Sequence, residues 1–196
     1  MFDKVFVIHR NKDTDRDKYI KDLQIKLDYK EFVIVEPLPI AEDYSSYICM
    51  WSKNIQARRA VISLYNTNIK LLQRIIDEKL DNVLILEDDA VIHDIKELDK
   101  DALIHFLYHT RYKNKYIGCL ANYYPLWQNT KKLLDKLMQY KSVKKSRHRA
   151  WDIELDYMKS KYSLNFSYDN YFTHPQNKST LGNDSYNKGI SPFKPL

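Results

Sequence analysis

Three consecutive carboxylates, Glu87, Asp88 and Asp89, stand directly behind the aliphatic run Val83-Leu84-Ile85-Leu86, and the chain turns apolar again at Ala90-Val91-Ile92. Adjacent carboxylates repel one another and lose hydration when they close a buried segment, so something has to neutralise them. A divalent cation is the simplest neutraliser, because hard cations take oxygen ligands. In extended backbone Glu87 and Asp89 project to one side and Asp88 to the other, which would give a metal one face and a substrate the other. The plainer reading is a strand that ends in a solvated acidic turn.

What would position these carboxylates is a sheet. A short continuous aliphatic run reads as a strand buried on both faces. Val5 to Ile8 reads as a first strand, followed by the polar loop His9 to Arg16 and a helix from about Asp15 to Leu27. Phe32 to Val35 is a second strand, stopped by Glu36-Pro37-Leu38-Pro39. Asn54 to Lys79 carries apolar residues at helical spacing, as one helix or as two with a break near Asn66. Strands alternating with helices imply a parallel sheet with right-handed crossovers, whose ligands bind at the carboxyl ends of the strands. His9-Arg10, Glu36 and the acidic triplet all lie at such ends, so they should converge on one cleft. Further on, we expect a strand at Tyr116 to Leu120, helices at Lys132 to Tyr140 and at Trp151 to Lys161, and an irregular tail beyond Tyr168. The expected fold is a single α/β domain over residues 1–196 with a mostly parallel central sheet.

Composition removes several function classes. Only three glycines occur, Gly118, Gly182 and Gly189, which excludes a Gly-rich phosphate cradle. Any nucleotide must be held by side chains, helix N-termini and metal. Cys49 and Cys119 suggest neither a disulfide scaffold nor a zinc site, and a reducing, cytoplasmic compartment is expected. The first residues read as a strand rather than a signal peptide, and no apolar run is long enough to span a membrane. The net charge of +6 invites a polyanionic partner, but 26 acidic residues are interspersed.

Several segments resemble the family-25 glycosyltransferases, the lipopolysaccharide-type and collagen-type galactosyltransferases. Val7-Ile8-His9-Arg10 with Asp15-Arg16 is similar to that family's first strand, loop and Arg. Ile62-Ser63-Leu64 resembles its Ser-His helix, with Leu64 standing where the family has His. Val83 to Ala90 resembles its hydrophobic-Glu-Asp-Asp motif, Ala150 to Leu155 its late Asp-containing helix start, and His174-Pro175-Gln176 its closing donor-side segment. The resemblance implies a GT-A-like fold, a nucleotide-diphosphate sugar as donor (uridine as its base), Mn²⁺ or Mg²⁺, and a glycan acceptor. It implies a donor site drawn from His9, Arg10, Arg16, Arg58, Ser63, Glu87, Asp88 and Gln176, and metal contacts from Asp89, Glu87 and His174.

Each of these residues also has a plainer reading. Asp152 is the candidate general base for an inverting transfer, with Glu154 as fallback, yet an Asp before an apolar helical run is also a natural N-cap. His174 in an irregular tail is otherwise a solvated loop histidine. Arg10, Arg16, Arg58 and Arg59 suit a diphosphate because a guanidinium fork binds two oxygens at once, but surface arginines are common. Lys141 to Arg149 carries six basic residues in nine, counting His148, and such runs are usually solvated.

Two other functions compete. A metal-dependent phosphohydrolase would use Asp88 or Asp89 as nucleophile, but haloacid-dehalogenase-type enzymes place that motif after the first strand. A nucleic-acid-binding module would use the basic run. It leaves the buried-strand carboxylates unexplained, since they repel phosphate, so no nucleic acid partner is expected.

Overall fold

The computed structural model describes residues 2–39, 55–112, 115–117, 120–143, 151–173 and 175. The chain opens with strand β1 (Phe2–Ile8), a 3-10 turn (Thr14–Arg16), helix α1 (Asp17–Lys26) and strand β2 (Tyr29–Val35). Helix α2 (Ile55–Asp77) and strand β3 (Val83–Glu87) follow. Then come strands β4 (Val91–Ile92), β5 (Ile104–Phe106), β6 (Thr110–Tyr112), β7 (Lys115–Ile117) and β8 (Ala121–Tyr124). Helices α3 (Trp127–Val143) and α4 (Trp151–Tyr162) precede the short strands β9 (Phe166–Tyr168) and β10 (Phe172–Thr173).

The central sheet has six strands in the order β2-β1-β3-β8-β5-β9. β1 pairs in parallel with β2 and β3, and β5 with β9, while β8 is antiparallel to both β3 and β5. Five strands therefore point one way and β8 alone is reversed, so the expected mostly parallel α/β sheet is present.

Alternation along the buried strands divides the core. Phe6, Ile8, Val83 and Ile85 face a layer formed by α2, α3 and α4, through Leu72, Ile75, Leu133, Leu137, Trp151 and Leu155. Val5, Val7, Leu84 and Leu86 face the other layer, where Ile20 and Leu23 of α1 pack. This is why β1 and β3 read as uninterrupted apolar runs: both faces are covered.

One open reading is resolved and two are corrected. α2 is one continuous helix, in which Thr67 Oγ1 and Asn68 Nδ2 donate to the carbonyls of Ser63 and Leu64, one turn back, instead of breaking it. The strand expected at Tyr116 to Leu120 is not in the central sheet. Lys115–Ile117 pairs only with Thr110–Tyr112 among the described residues, and the sheet strand is Ala121–Tyr124. There Asn122 is wholly buried, which its polarity disguises in sequence. Beyond Tyr168, Phe172–Thr173 pairs antiparallel with Val91–Ile92, because Phe172 is an apolar ring with no exposure. With so few glycines, two helix ends use other residues at positive φ. Lys79 and Ser163 both lie near +50°, where Leu80 and Leu164 donate back to Ile75 and Lys159 in the six-residue closure of a Schellman motif.

Groups with shifted titration contribute to stability at acid and alkaline pH. Lys30 beside Asp3, Arg74 beside Glu78 and Ser167 beside Asp99 hold those three carboxyls below their usual range. A lowered folded-state value means stability that is present above the ordinary pKa and is lost as pH falls through the folded one. Burial raises the Tyr123 hydroxyl to about 12 from 10.0, so its contribution is complete below pH 10.0 and drains between the two. Burial likewise holds the His109 imidazole below 6.5, so we expect an unfolding midpoint that begins to fall below pH 6.5, falls further below pH 4.5 and falls again above pH 10.0, measured by urea titration at each pH. A midpoint that rose on acidification would contradict these pairings.

Among the described residues no helix is long and apolar enough to cross a membrane.

Candidate functional site

The carboxyl edge of the sheet contains a topological switch point. From β1 the chain crosses to β2 on one side, then returns past β1 to β3 on the other. Right-handed crossovers in opposite directions put α1 and α2 on opposite faces, and a crevice opens where they diverge. Ile8 is paired with both Val35 and Glu87, so the three strands end level and His9, Glu36 and Asp88 emerge together. Two of the three expected clusters meet directly, since the His9 Nδ1–H donates to Asp88 Oδ2 at 2.9 Å. The third, Glu36, accepts the backbone N–H of Asn11 at 2.9 Å and so holds the loop that follows β1.

The triplet itself is not extended. β3 ends at Glu87, and the Ala90 N–H bonds the Glu87 carbonyl at 3.1 Å, closing a turn with Asp88 and Asp89 at its centre. The expected alternation, Glu87 and Asp89 against Asp88, therefore fails. Asp88 and Asp89 instead share one guanidinium: Arg16 Nη1 contacts Asp88 Oδ1 and lies 3.1 Å from Asp89 Oδ2. His9, Asp88 and Asp89 are 5%, 5% and 4% exposed, so these pairings sit out of water and removing one partner would leave an uncompensated buried charge. Burial alone would lower the Arg16 pKa, but Asp89 and Asp88 outweigh it and raise it, so the group stays charged.

These contacts revise several roles. Arg10, expected on the diphosphate, gives its Nε and Nη2 to Asp13 at 2.6 and 2.5 Å, bracing its own loop. Ser63 donates to the Leu38 carbonyl at 2.5 Å and Thr67 accepts the Leu38 N–H at 2.9 Å, so this face of α2 clamps the segment after β2. Asp17 was not singled out in sequence, yet its carboxylate is 3.3 Å from His9 Nε2, which leaves the imidazole between two acids. A cleft of about 300 Å³ opens beside it, lined by His9, Asn11, Asp17, Lys21 and Ile34. No periodicity announces this cleft. It exists because β2 is an edge strand, which leaves Ile34 48% exposed.

The topology also carries α4 to this edge. β8 descends to the amino edge, where the Asn82 N–H bonds the Pro125 carbonyl and the Trp127 N–H bonds Asp81. α3 climbs back over 17 residues, about 25 Å at 1.5 Å per residue. α4 then descends to Asn165, whose carbonyl takes the Leu103 N–H below β5. Its first turn, with Asp152 and Glu154, thus lies on the side of the acidic turn. Asp152 is the second helical residue rather than an N-cap, and its Oδ1 accepts the Ile153 N–H at 2.9 Å. It is half-buried, whereas Glu154, the fallback base, is 3% exposed among the buried face of α4.

Arg58 and Arg59 lie on α2, but their side chains fall outside the described residues, as do His174, Gln176, both cysteines and most of the basic run. Among the described residues no group of three or more His, Cys, Asp or Glu is arranged to hold a metal. Asp88 is committed through both oxygens to His9 and Arg16. Glu87 and Asp89 are hard oxygen donors of the kind Mg²⁺ and Mn²⁺ accept, and one or two suffice when phosphates complete the shell. Among the described residues Arg16 and His9 are paired with Asp88, and Arg16 with Asp89; a dication would suit a turn that concentrates carboxylates in this way.

No protein-family model matches the chain, and no curated protein sequence matches it. Among solved structures, it is similar to a glycosyltransferase involved in the glycosylation of the major capsid of PBCV-1, at 11% identity and a TM-score of 0.51, over 91% of this chain and 95% of that one. It also aligns with a nucleoside-diphosphate-sugar pyrophosphorylase from Vibrio cholerae RC9, at 11% identity and a TM-score of 0.38, over 87% and 75%. The first likeness spans nearly the whole of both chains, and with the sheet order above it shows the fold, a GT-A-like α/β domain.

Proposed function

We propose that this chain is a glycosyltransferase, similar to family 25, that moves a hexose from a nucleotide-diphosphate sugar to a hydroxyl of a glycan with inversion. The observation that carries the reading is the acidic turn Glu87–Asp88–Asp89 at the switch point between β1 and β3, where an open α/β sheet binds its ligands. A uridine base is expected from the family resemblance. The cleft beside His9 adjoins the turn and gives a donor's nucleoside a place to lie.

The residues divide the work as follows. Glu87 and Asp89 would hold Mn²⁺ or Mg²⁺, with His174 as a further candidate. When bound, such a cation supplies Lewis-acid stabilisation of the charge that develops on the departing nucleoside diphosphate. His9 and Arg16 fix Asp88 and hence the shape of the turn. Asp152, at the start of α4, would take the acceptor's hydroxyl proton. Gln176 and Arg58 are proposed to touch the donor.

A thermal-shift panel of nucleotide-diphosphate hexoses, the UDP-hexoses first, with and without Mn²⁺ or Mg²⁺ tests this. A true donor at a hundredfold excess over its Kd stabilises by about 2.7 kcal/mol, a rise of roughly 5–10 °C for a domain of this size. If no nucleotide-diphosphate sugar moves the melting temperature in the presence of either metal, the reading is wrong.

A further inference from the structure

Arg16 is unusual in pairing with the two carboxylates at the centre of the turn, one of which is a proposed metal ligand. Its side chain is 12% exposed, and those of Asp88 and Asp89 are 7% and 5% exposed. Asp88 has a second partner on the opposite side, His9, and so is held in place whatever Arg16 does next. A dication approaching this turn alone meets a guanidinium already within 3.1 Å of Asp89, in a site where water does little to screen like charges. A diphosphate changes the balance, because its oxygens match the guanidinium fork better than a shared carboxylate does.

We propose that Arg16 is a place-holder for the donor's cation: on donor binding it passes from Asp89 to the diphosphate while remaining on Asp88, and Asp89 is released to the metal. The exchange keeps every charge paired. Arg16⁺ trades one anion for another, and the released carboxylate meets the cation that arrives with the phosphates. Metal and nucleotide therefore enter as a pair, and the bare turn resists metal alone. This inference rests on the glycosyltransferase reading, and it assigns Arg16 a positioning role rather than a catalytic one.

The forecast that separates this from a purely structural Arg16 is one of opposite signs. Calorimetry with MnCl₂ alone, UDP alone, and each in the presence of the other would be run on the parent, Arg16→Gln and Arg16→Lys. Removing the place-holder should tighten Mn²⁺ alone by about tenfold in Arg16→Gln while weakening UDP in the presence of Mn²⁺ by at least as much, so the coupling between the two ligands shrinks. Arg16→Lys keeps the charge but not the fork, so it should bind Mn²⁺ alone as the parent does and bind UDP less tightly. It also decides the matter if Arg16→Gln does not fold, which circular dichroism would show. If either variant loses affinity for Mn²⁺ alone, Arg16 merely props up the turn and the inference is overturned. Should neither UDP nor any other nucleoside diphosphate bind the parent at any Mn²⁺ concentration, the glycosyltransferase reading falls and this inference with it. Binding of both ligands with variants unchanged removes this inference alone.

Discussion

Asp89→Asn is expected to lose nucleotide-sugar affinity by on the order of a hundredfold in the presence of Mn²⁺, the effect of losing a charged metal ligand worth several kcal/mol. The substitution is nearly isosteric, and the Asn amide oxygen can still accept from Arg16 Nη1, which lies 3.1 Å from the native carboxylate. Asp88, held by His9 at 2.9 Å, keeps the turn in place. What disappears is one negative charge at the point where the diphosphate needs a counter-ion. Calorimetric titration with a UDP-hexose, beside a melting curve, reads both consequences. Unchanged donor affinity at an unchanged melting temperature would exclude Asp89 from the metal role and move it to Glu87 alone.

Asp152→Asn should cut turnover by ~10²–10⁴-fold while leaving donor binding and melting temperature close to the parent values. The structural argument is sharper than a choice between base and cap. Asp152 is the second residue of α4, and its carboxylate accepts the N–H of the next residue at 2.9 Å. Asn supplies the same acceptor to the Ile153 N–H, and the lost charge–dipole interaction is worth about 0.3–1 kcal/mol. The group that accepts a proton is lost altogether. Single-turnover transfer at saturating donor separates the chemical step from binding, and a rate within twofold of the parent would take Asp152 out of the reaction. Glu154 is a poor substitute in that event, since it is 3% exposed on the same helix face as Trp151 and Leu155.

The chain by itself determined the elements that bury their own faces. Val83 to Leu86 and Val5 to Ile8 are apolar throughout because both sides of these strands are covered, and that demand is written residue by residue. Alternating strands and helices then dictated parallel pairing and placed His9, Glu36 and the acidic triplet at one edge. β8 escaped notice because its burial is decided by neighbours on both sides: Asn122 is buried at no exposure although nothing in its type requires it. The roles at the site were also beyond a linear reading. That Arg16 rather than Arg10 answers the acidic turn depends on a contact across 72 residues, and on a tight turn that brings Asp88 and Asp89 to one guanidinium. Periodicity specifies which way a side chain faces within its own element. Which charge it meets there is set by strand order and by where each loop is tied, and those exist only once the sheet has assembled.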